Sequence, residues 1–424
     1  MTTGLSKSLG VFRGTALLLN IVVGAGLLTL PGLAIKQLGG IAFAAWTICA
    51  LSAVPLLAVF IVLGRRYPDA GGITSYAFRA FGPIGRNITS ALFLGAVTLG
   101  LPAIALTGGH YLAAATGSNP HLYAAALVAI GASLHFLPGD GVAKAMGWVA
   151  SAILGCLVIF LIIGVFGTAG VPSAARIEFP AIQQVSGIGS SFMMLFFAFT
   201  GWEVGAGIGE EFENPKYQFP IAMVISFCLA TALYLCSAFV AQRTDLTGMY
   251  EAPFVAIILP VLGARAAQTV AVVAAVIVLA NLAGAIWGVS RIIYSLSKDG
   301  KYAALFAATV RGRPLVAVSV TTAALLLVLA LDAGGWLGLE RMLAIAGQNF
   351  LIIYALAAGA LVVLAKASWE RGLGLFVLAL TALLLFENGE VLRYPIALAC
   401  CAGAFTILFG SSSQVKPAER GLQS

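Results

Sequence analysis

Charge is what this sequence has least of. Asp, Glu, Lys and Arg make up 9% of its 424 residues, whereas a soluble domain carries about 25%. Histidine is also scarce. His110, His121 and His135 stand apart near the ends of apolar runs and make no metal-ligand cluster. The six cysteines (Cys49, Cys156, Cys228, Cys236, Cys400 and Cys401) all fall inside apolar runs. They read as small buried residues, with neither a disulfide framework nor metal-site spacing. No metal or cofactor is therefore expected. No polar stretch reaches the length of a soluble domain, which argues against a sensor with an appended output module. Rings of charge and repeated filter loops, the marks of a channel, are missing. So is a convergent set of nucleophile, base and metal, which argues against an enzyme. No cleavable leader is expected.

What is present is apolar: 61% of the residues. Uncharged runs of 18 or more residues recur along the chain, each able to cross a hydrocarbon core of roughly 30 Å. The short alternating segments of a membrane β-barrel do not occur. The expected fold is an all-α integral membrane protein with about twelve transmembrane helices, at 11–35, 41–63, 88–114, 121–137, 144–168, 185–209, 218–241, 266–295, 314–331, 341–365, 372–386 and 391–410. On that topology seventeen of the 23 Lys and Arg residues fall on one side. That side is read as cytoplasmic, with both termini inside. The net charge of +7 is thus a topology signal scattered over short loops, and no nucleic-acid partner is expected.

Two runs carry a glycine interruption. In "NIVVGAGLLTLP" the centre is Gly24-Ala25-Gly26, and in "SSFMMLFFAFTGWEVGAGIGEEF" Thr200-Gly201 is followed by Gly205, Gly207 and Gly209. Glycine weakens a helix. Broken spans at matching places in two halves point to a transporter built from inverted repeats, with its site at the breaks. Unwound backbone in lipid is tolerated only where it lines a cavity. There its freed N–H groups suit a carboxylate and its carbonyls an ammonium. The competing reading is that these glycines only let helices pack closely. On the first reading, 1–168 is one repeat of five spans and 169–365 the second. Residues 366–410 then supply two C-terminal helices and 411–424 a polar tail.

Four stretches resemble the amino acid–polyamine–organocation (APC) superfamily: "NIVVGAGLLTLP", "YPDAGGITSYAFRAFGP", "FFAFTGWEVGAGIGEEFENPKYQFP" and "SRIIYSLSKDG". Together they cover roughly residues 10–300. Within the superfamily, "LFLGAVTLGLPAIAL" is similar to the branch that exports methionine and branched-chain amino acids. The resemblance implies a LeuT-type 5+5 inverted repeat plus two C-terminal helices, in a bacterial inner membrane. It implies that Val23, Gly24, Ala25 and Gly26 hold a substrate α-carboxylate through backbone groups. Ala25 stands where the family usually has Ser, so one hydroxyl contact is lost. Phe196, Ala198, Phe199 and Thr200 would offer carbonyls to the α-amino group or walls to the side chain. Phe197 aligns with an aromatic gate, against the alternative of an ordinary buried or lipid-facing ring.

Glu203 is the one acidic residue placed deep within a span. A carboxylate there has to be protonated or paired, and such groups are usually functional. It is read either as a proton-coupling or gating group, or as a brace for the broken helix. No Arg or Lys lies mid-span in spans 1, 3, 6, 8 and 10. Small residues Gly100, Ala103 and Ala105 alternate there with Leu99, Leu101 and Ile104. These features suit a zwitterion with an apolar side chain, such as methionine, leucine, isoleucine or valine. Some superfamily members carry a mid-span lysine in span 5 in place of sodium. This chain has none there, which leaves a sodium ion between spans 1 and 8, or protons elsewhere. Asn20, Asn281 and Ser290 are candidate polar contacts. Gln348 and Asn349 are candidates for an outer vestibule. Arg65, Arg66, Arg79 and Arg86 are candidates to latch an inner gate against Glu210, Glu211, Glu213 or Asp299. The expected activity is secondary active transport by alternating access, with export by proton antiport implied by the resemblance. A sodium- or proton-coupled importer, or an amino acid/amine exchanger, is the alternative.

Overall fold

The computed structural model describes residues 7, 9–69, 71–136, 155, 158–159, 161–166, 178, 189–298, 309, 314–386 and 392–409. Apart from one isolated bridge between Leu9 and Phe212, the regular elements among these residues are helices. A backbone surrounded by lipid must satisfy its hydrogen bonds internally, and the helix does so within one segment. In chain order they are α1 (Val11–Val22), α2 (Ala25–Leu38), α3 (Ala42–Arg66), α4 (Gly72–Thr116) and α5 (Pro120–Ser133). After them come α6 (Gly189–Phe196), α7 (Trp202–Gly205), α8 (Gln218–Gln242), α9 (Pro253–Lys298) and α10 (Leu315–Ala333). The chain closes with α11 (Leu339–Leu364), α12 (Ser368–Phe386) and α13 (Arg393–Phe409).

Eight helical stretches among the described residues are long and apolar enough to cross a membrane. Three shorter apolar helices accompany them: Val11–Val22, Pro120–Phe136 and Arg393–Leu408. Of the segments expected from the sequence, 144–168 lies largely outside the described residues, as does the tail 411–424. The two longest helices, α4 and α9, each bend at a glycine, Gly82 and Gly263. Each thereby joins a short leading helix to a long one.

The helices share one apolar core. Trp46 of α3 stacks on Tyr234 of α8 at 5.6 Å between ring centroids. Phe60 of α3 meets Tyr354 of α11 edge-on at 4.7 Å. These rings pack around two places where the backbone leaves the helical path, between α1 and α2 and between α6 and α7. The fold thus buries two irregular backbone segments at its centre.

Candidate functional site

The first break follows from Gly24. α1 ends at Val22, Val23 is extended (φ −83°, ψ 98°), and Gly24 (φ −136°, ψ −140°) starts α2. Tyr234 Oη donates to the carbonyl of Val22 at 3.0 Å, capping the end of α1. Leu27 N donates to Gly24 O at 3.1 Å. The amides of Ala25 and Gly26 open α2, where the helix itself supplies no acceptor and the dipole is positive.

The second break follows from Thr200-Gly201. After α6, Phe197–Phe199 forms a 3-10 turn, and Thr200 is extended (φ −96°, ψ 170°). Gly201 then takes φ +107°, a conformation a residue with a Cβ avoids. The carbonyl of Phe197 accepts from Thr200 Oγ1 at 2.8 Å, and that of Phe199 receives a long contact from Tyr354 Oη at 3.5 Å. Both oxygens of Glu203 accept from Gly201 N, at 3.1 and 2.9 Å. Tyr354 Oη donates to Glu203 Oε2 at 2.6 Å.

The two breaks touch. A Cβ added to Gly26 would lie 3.4 Å from Ala198 Cα. A Cβ on Gly24 would come within 2.8 Å of Asn281 Nδ2, which reaches over from α9. Both breaks line one cavity of about 830 Å³, within the range of small-molecule sites. Val23, Gly24, Ala25 and Gly26 line it from one side, and Phe197, Ala198, Thr200 and Glu203 from the other. Gly100, Leu101 and Ile104 of α4 form part of its wall. Phe197 packs on Phe350 at 6.3 Å and Phe350 on Phe93 at 6.0 Å, making an aromatic side to the same cavity.

Phe196 and Phe199 are not brought to the cavity; both are buried in the scaffold behind it. Phe196 meets Tyr354 edge-on at 5.6 Å, and Phe199 packs on Trp46 and Tyr234. Asn20 and Asn281 line the cavity, while Ser290 is buried and donates to Trp287 O at 2.9 Å. Gln348 and Asn349 are fully buried within α11 rather than in a vestibule. Tyr354 and Tyr234, whose hydroxyls hold the two breaks, are residues that sequence reading missed. Their signal was a phenol inside an apolar span, since a buried hydroxyl has to find an acceptor.

The cavity runs from the breaks toward one face, where Gly71, Thr74, Arg86 and Arg291 also line it. Toward the other face it is closed. Tyr111 Oη donates to Leu28 O at 2.7 Å and receives Phe254 N at 3.4 Å. Thr29 Oγ1 donates to Glu251 O at 2.9 Å. Lys36 bridges Glu251 and Glu340, each at 2.9 Å. On the open face Arg66 pairs with Glu370, and Arg79 with Asp69 at 3.4 Å. Partial burial opposes ionisation of Asp69. The Gly71 amide, Ser75 and Arg79 outweigh it and hold the carboxyl below the usual aspartate range. Of the cytoplasmic latches expected from the sequence, Asp299 lies outside the described residues. Among the described ion pairs, Arg66 and Arg79 take Glu370 and Asp69 instead of the acidic run after α7.

Comparison with known proteins bears on this geometry. Residues 9–418 match the family model described as "Amino acid permease". An uncharacterized amino acid permease, YecA, of Bacillus subtilis is 28% identical over 417 residues, 96% of each chain. The L-methionine/branched-chain amino acid exporter YjeH of Escherichia coli is 31% identical over 249 residues, 58% of this chain and 59% of that one. The cadaverine/lysine antiporter of E. coli is 26% identical over 349 residues, 78% of this chain and 77% of that one.

Proposed function

The chain belongs to the amino acid permease family, and on that premise we propose that it is a secondary active transporter of neutral, hydrophobic L-amino acids. Methionine, leucine, isoleucine and valine are its substrates, and it exports them by proton antiport. The observation that carries this reading is the apposition of Gly26 and Ala198, two helix breaks in contact at the wall of an 830 Å³ cavity. The amides at the start of α2 receive the α-carboxylate. The backbone around Ala198 faces the α-amino group. Leu101, Ile104, Phe197 and Phe350 enclose the apolar side chain.

The charge inventory supports a zwitterion. Glu203 is the acidic residue among those lining the cavity, and its oxygens are engaged by Gly201 and Tyr354. A cationic side chain therefore meets no free carboxylate beside the breaks. The E. coli exporter among the relatives supports the direction of transport. The architecture proposed with this function is twelve spans in a 5+5 inverted repeat plus two C-terminal helices. Both termini are cytoplasmic, in the inner membrane of a bacterium. The cavity then opens to the cytoplasm, and the Lys36 cluster closes the opposite side.

A thermal-shift screen of the purified protein against the twenty amino acids and cadaverine tests the reading. Ligand at a hundred times its Kd stabilises the folded state by about 2.7 kcal/mol. Methionine and the branched-chain amino acids are expected to raise the melting temperature, and lysine, glutamate and cadaverine to leave it unchanged. Reconstituted vesicles then separate the couplings. An acidic interior drives leucine uptake against its concentration by proton antiport, an acidic exterior drives it by proton symport, and a sodium gradient that does so identifies sodium symport.

A further inference from the structure

The cavity carries a second charged station away from the breaks. Arg86 of α4 and Arg291 of α9 both line it. Arg86 lies fourteen residues before Gly100, which touches the Phe197 ring beside the second break. Arg291 lies ten residues after Asn281, which touches Gly24 at the first. At 1.5 Å per residue the arginine backbones sit about 15–21 Å along their helices from the breaks, and the Arg291 guanidinium, folded back over Trp287, about 9 Å. One carboxylate cannot occupy both places, so a molecule whose carboxylate is held at the arginines is not yet held through it at the breaks.

Neither guanidinium is paired with an acid within 4.0 Å among the described residues. Each lies against an aromatic ring, Arg86 over Phe78 at 5.7 Å and Arg291 over Trp287 at 4.5 Å. Such packing fixes a guanidinium and leaves its edge donors available. Arg86 Nε is buried without a hydrogen-bond acceptor, and a buried donor left unmade costs free energy. Arginines that serve only topology extend toward lipid headgroups, whereas both of these line the passage, Arg86 half-buried and Arg291 exposed. Ser90, one turn beyond Arg86, lines the passage too.

We propose that Arg86 and Arg291 form a vestibular station that captures the α-carboxylate of an amino acid on its way between the open face and the helix breaks. The inference rests on the transport reading above and adds a second, transient site to it. A guanidinium edge matches a carboxylate through two parallel N–H···O bonds. Salt screens the attraction between the guanidinium and the carboxylate. The side chain is not read at this station, so selectivity remains with the breaks.

Radiolabelled leucine transport by the reconstituted full-length protein tests the station, with KM measured separately at each face. In R86Q/R291Q, KM at the arginine-bearing face is expected to rise about tenfold. KM at the opposite face should be unchanged, and R86K/R291K should recover only part of the loss, because an ammonium keeps the charge but not the paired N–H donors. In the wild type, KM at the arginine-bearing face should climb with ionic strength, and in R86Q/R291Q this dependence should flatten. KM unchanged in R86Q/R291Q, or raised equally at both faces, overturns the station. An effect present in vesicles containing anionic lipid and lost in phosphatidylcholine alone also overturns it, because the arginines then answer lipid phosphate. Wild-type protein that neither binds nor moves leucine overturns the transport reading itself, an outcome distinct from these.

Discussion

Tyr354 of α11 donates its hydroxyl to Oε2 of Glu203 at 2.6 Å, and the same carboxylate accepts the amide of Gly201 at 2.9 Å. One buried acid thus ties the broken helix to itself and to α11. The amide that Gly201 frees by leaving the helix is satisfied by its own chain two residues on. The proton on or off Glu203 therefore bears directly on how firmly the second break is held against α11.

Glu203→Gln tests whether that proton is used. The amide keeps the shape of the side chain and one acceptor oxygen, so the break stays folded and leucine affinity should fall by less than about threefold. Gradient-driven transport should drop at least tenfold and lose its pH dependence, as read in reconstituted vesicles. Transport that keeps its pH dependence in this variant would remove Glu203 from the coupling and leave it as a brace.

Tyr354→Phe isolates the brace. It removes one hydrogen bond to a carboxylate, a loss of about 1.5–3 kcal/mol where the acceptor stays charged. The melting temperature in detergent should fall, and hydrogen exchange across 199–206 should quicken. A variant with unchanged exchange there would show that Gly201 alone holds the carboxylate.

Gly24 and Asn281 form a pair suited to a double-mutant cycle. Gly24→Ala places its Cβ within 2.8 Å of Asn281 Nδ2, so the amide must move and leucine affinity should fall about tenfold. In Gly24→Ala/Asn281→Ala the obstruction is gone, and part of that loss should return. Strict additivity of the two substitutions would mean that the contact does not shape the site.

Gly26→Val tests the apposition of the breaks. The Cβ itself would sit 3.4 Å from Ala198 Cα and from Leu30 Cδ1, which is ordinary contact. The two further methyls of valine have to enter the cavity or press on Ala198. Leucine binding should weaken by more than a hundredfold, while the melting temperature without ligand changes by only a few degrees. Near-normal affinity would place the carboxylate site away from α2.

How much of this was legible beforehand differs by residue. Gly24, Gly26 and Gly201 announced both breaks, because glycine inside an apolar run contradicts the helix the membrane imposes. Glu203 was legible for the same reason, as a charge where none is cheap. The sequence could not say that Phe196 and Phe199 turn away from the cavity while Phe197 faces it. That division is set by the 3-10 turn Phe197–Phe199, which changes the angular spacing of neighbouring residues. Nor could it pair Glu203 with Tyr354, 151 residues away. Phenylalanines and tyrosines are common in apolar spans, and nothing local marks the one whose hydroxyl reaches a carboxylate.

The closed face carries a charge-dependent contact with a definite pH sign. Lys36 of α2 bridges Glu251, just before α9, and Glu340 at the start of α11, each at 2.9 Å. Partial burial opposes ionisation of Glu251, but the Lys36 hydrogen bond and charge outweigh it, leaving the carboxyl below its ordinary value of 4.5. A depressed carboxylate stabilises the closed face above that ordinary value, and the contribution is lost as pH falls through the lowered one. Neutral and mildly acid conditions, pH 5 to 7, should therefore leave the closure intact, and it should loosen only in stronger acid. Glu251→Gln should reproduce the acid state at pH 7. The readout is hydrogen exchange over 249–256, the segment that Thr29 and Tyr111 hold against α2 and α4. Faster exchange there at neutral pH in Glu251→Gln, with exchange around Gly201 unaltered, would mean that the cluster closes this face independently of the Glu203 brace. Equal acceleration at both places would instead mean that closing one face and holding the second break are a single cooperative event.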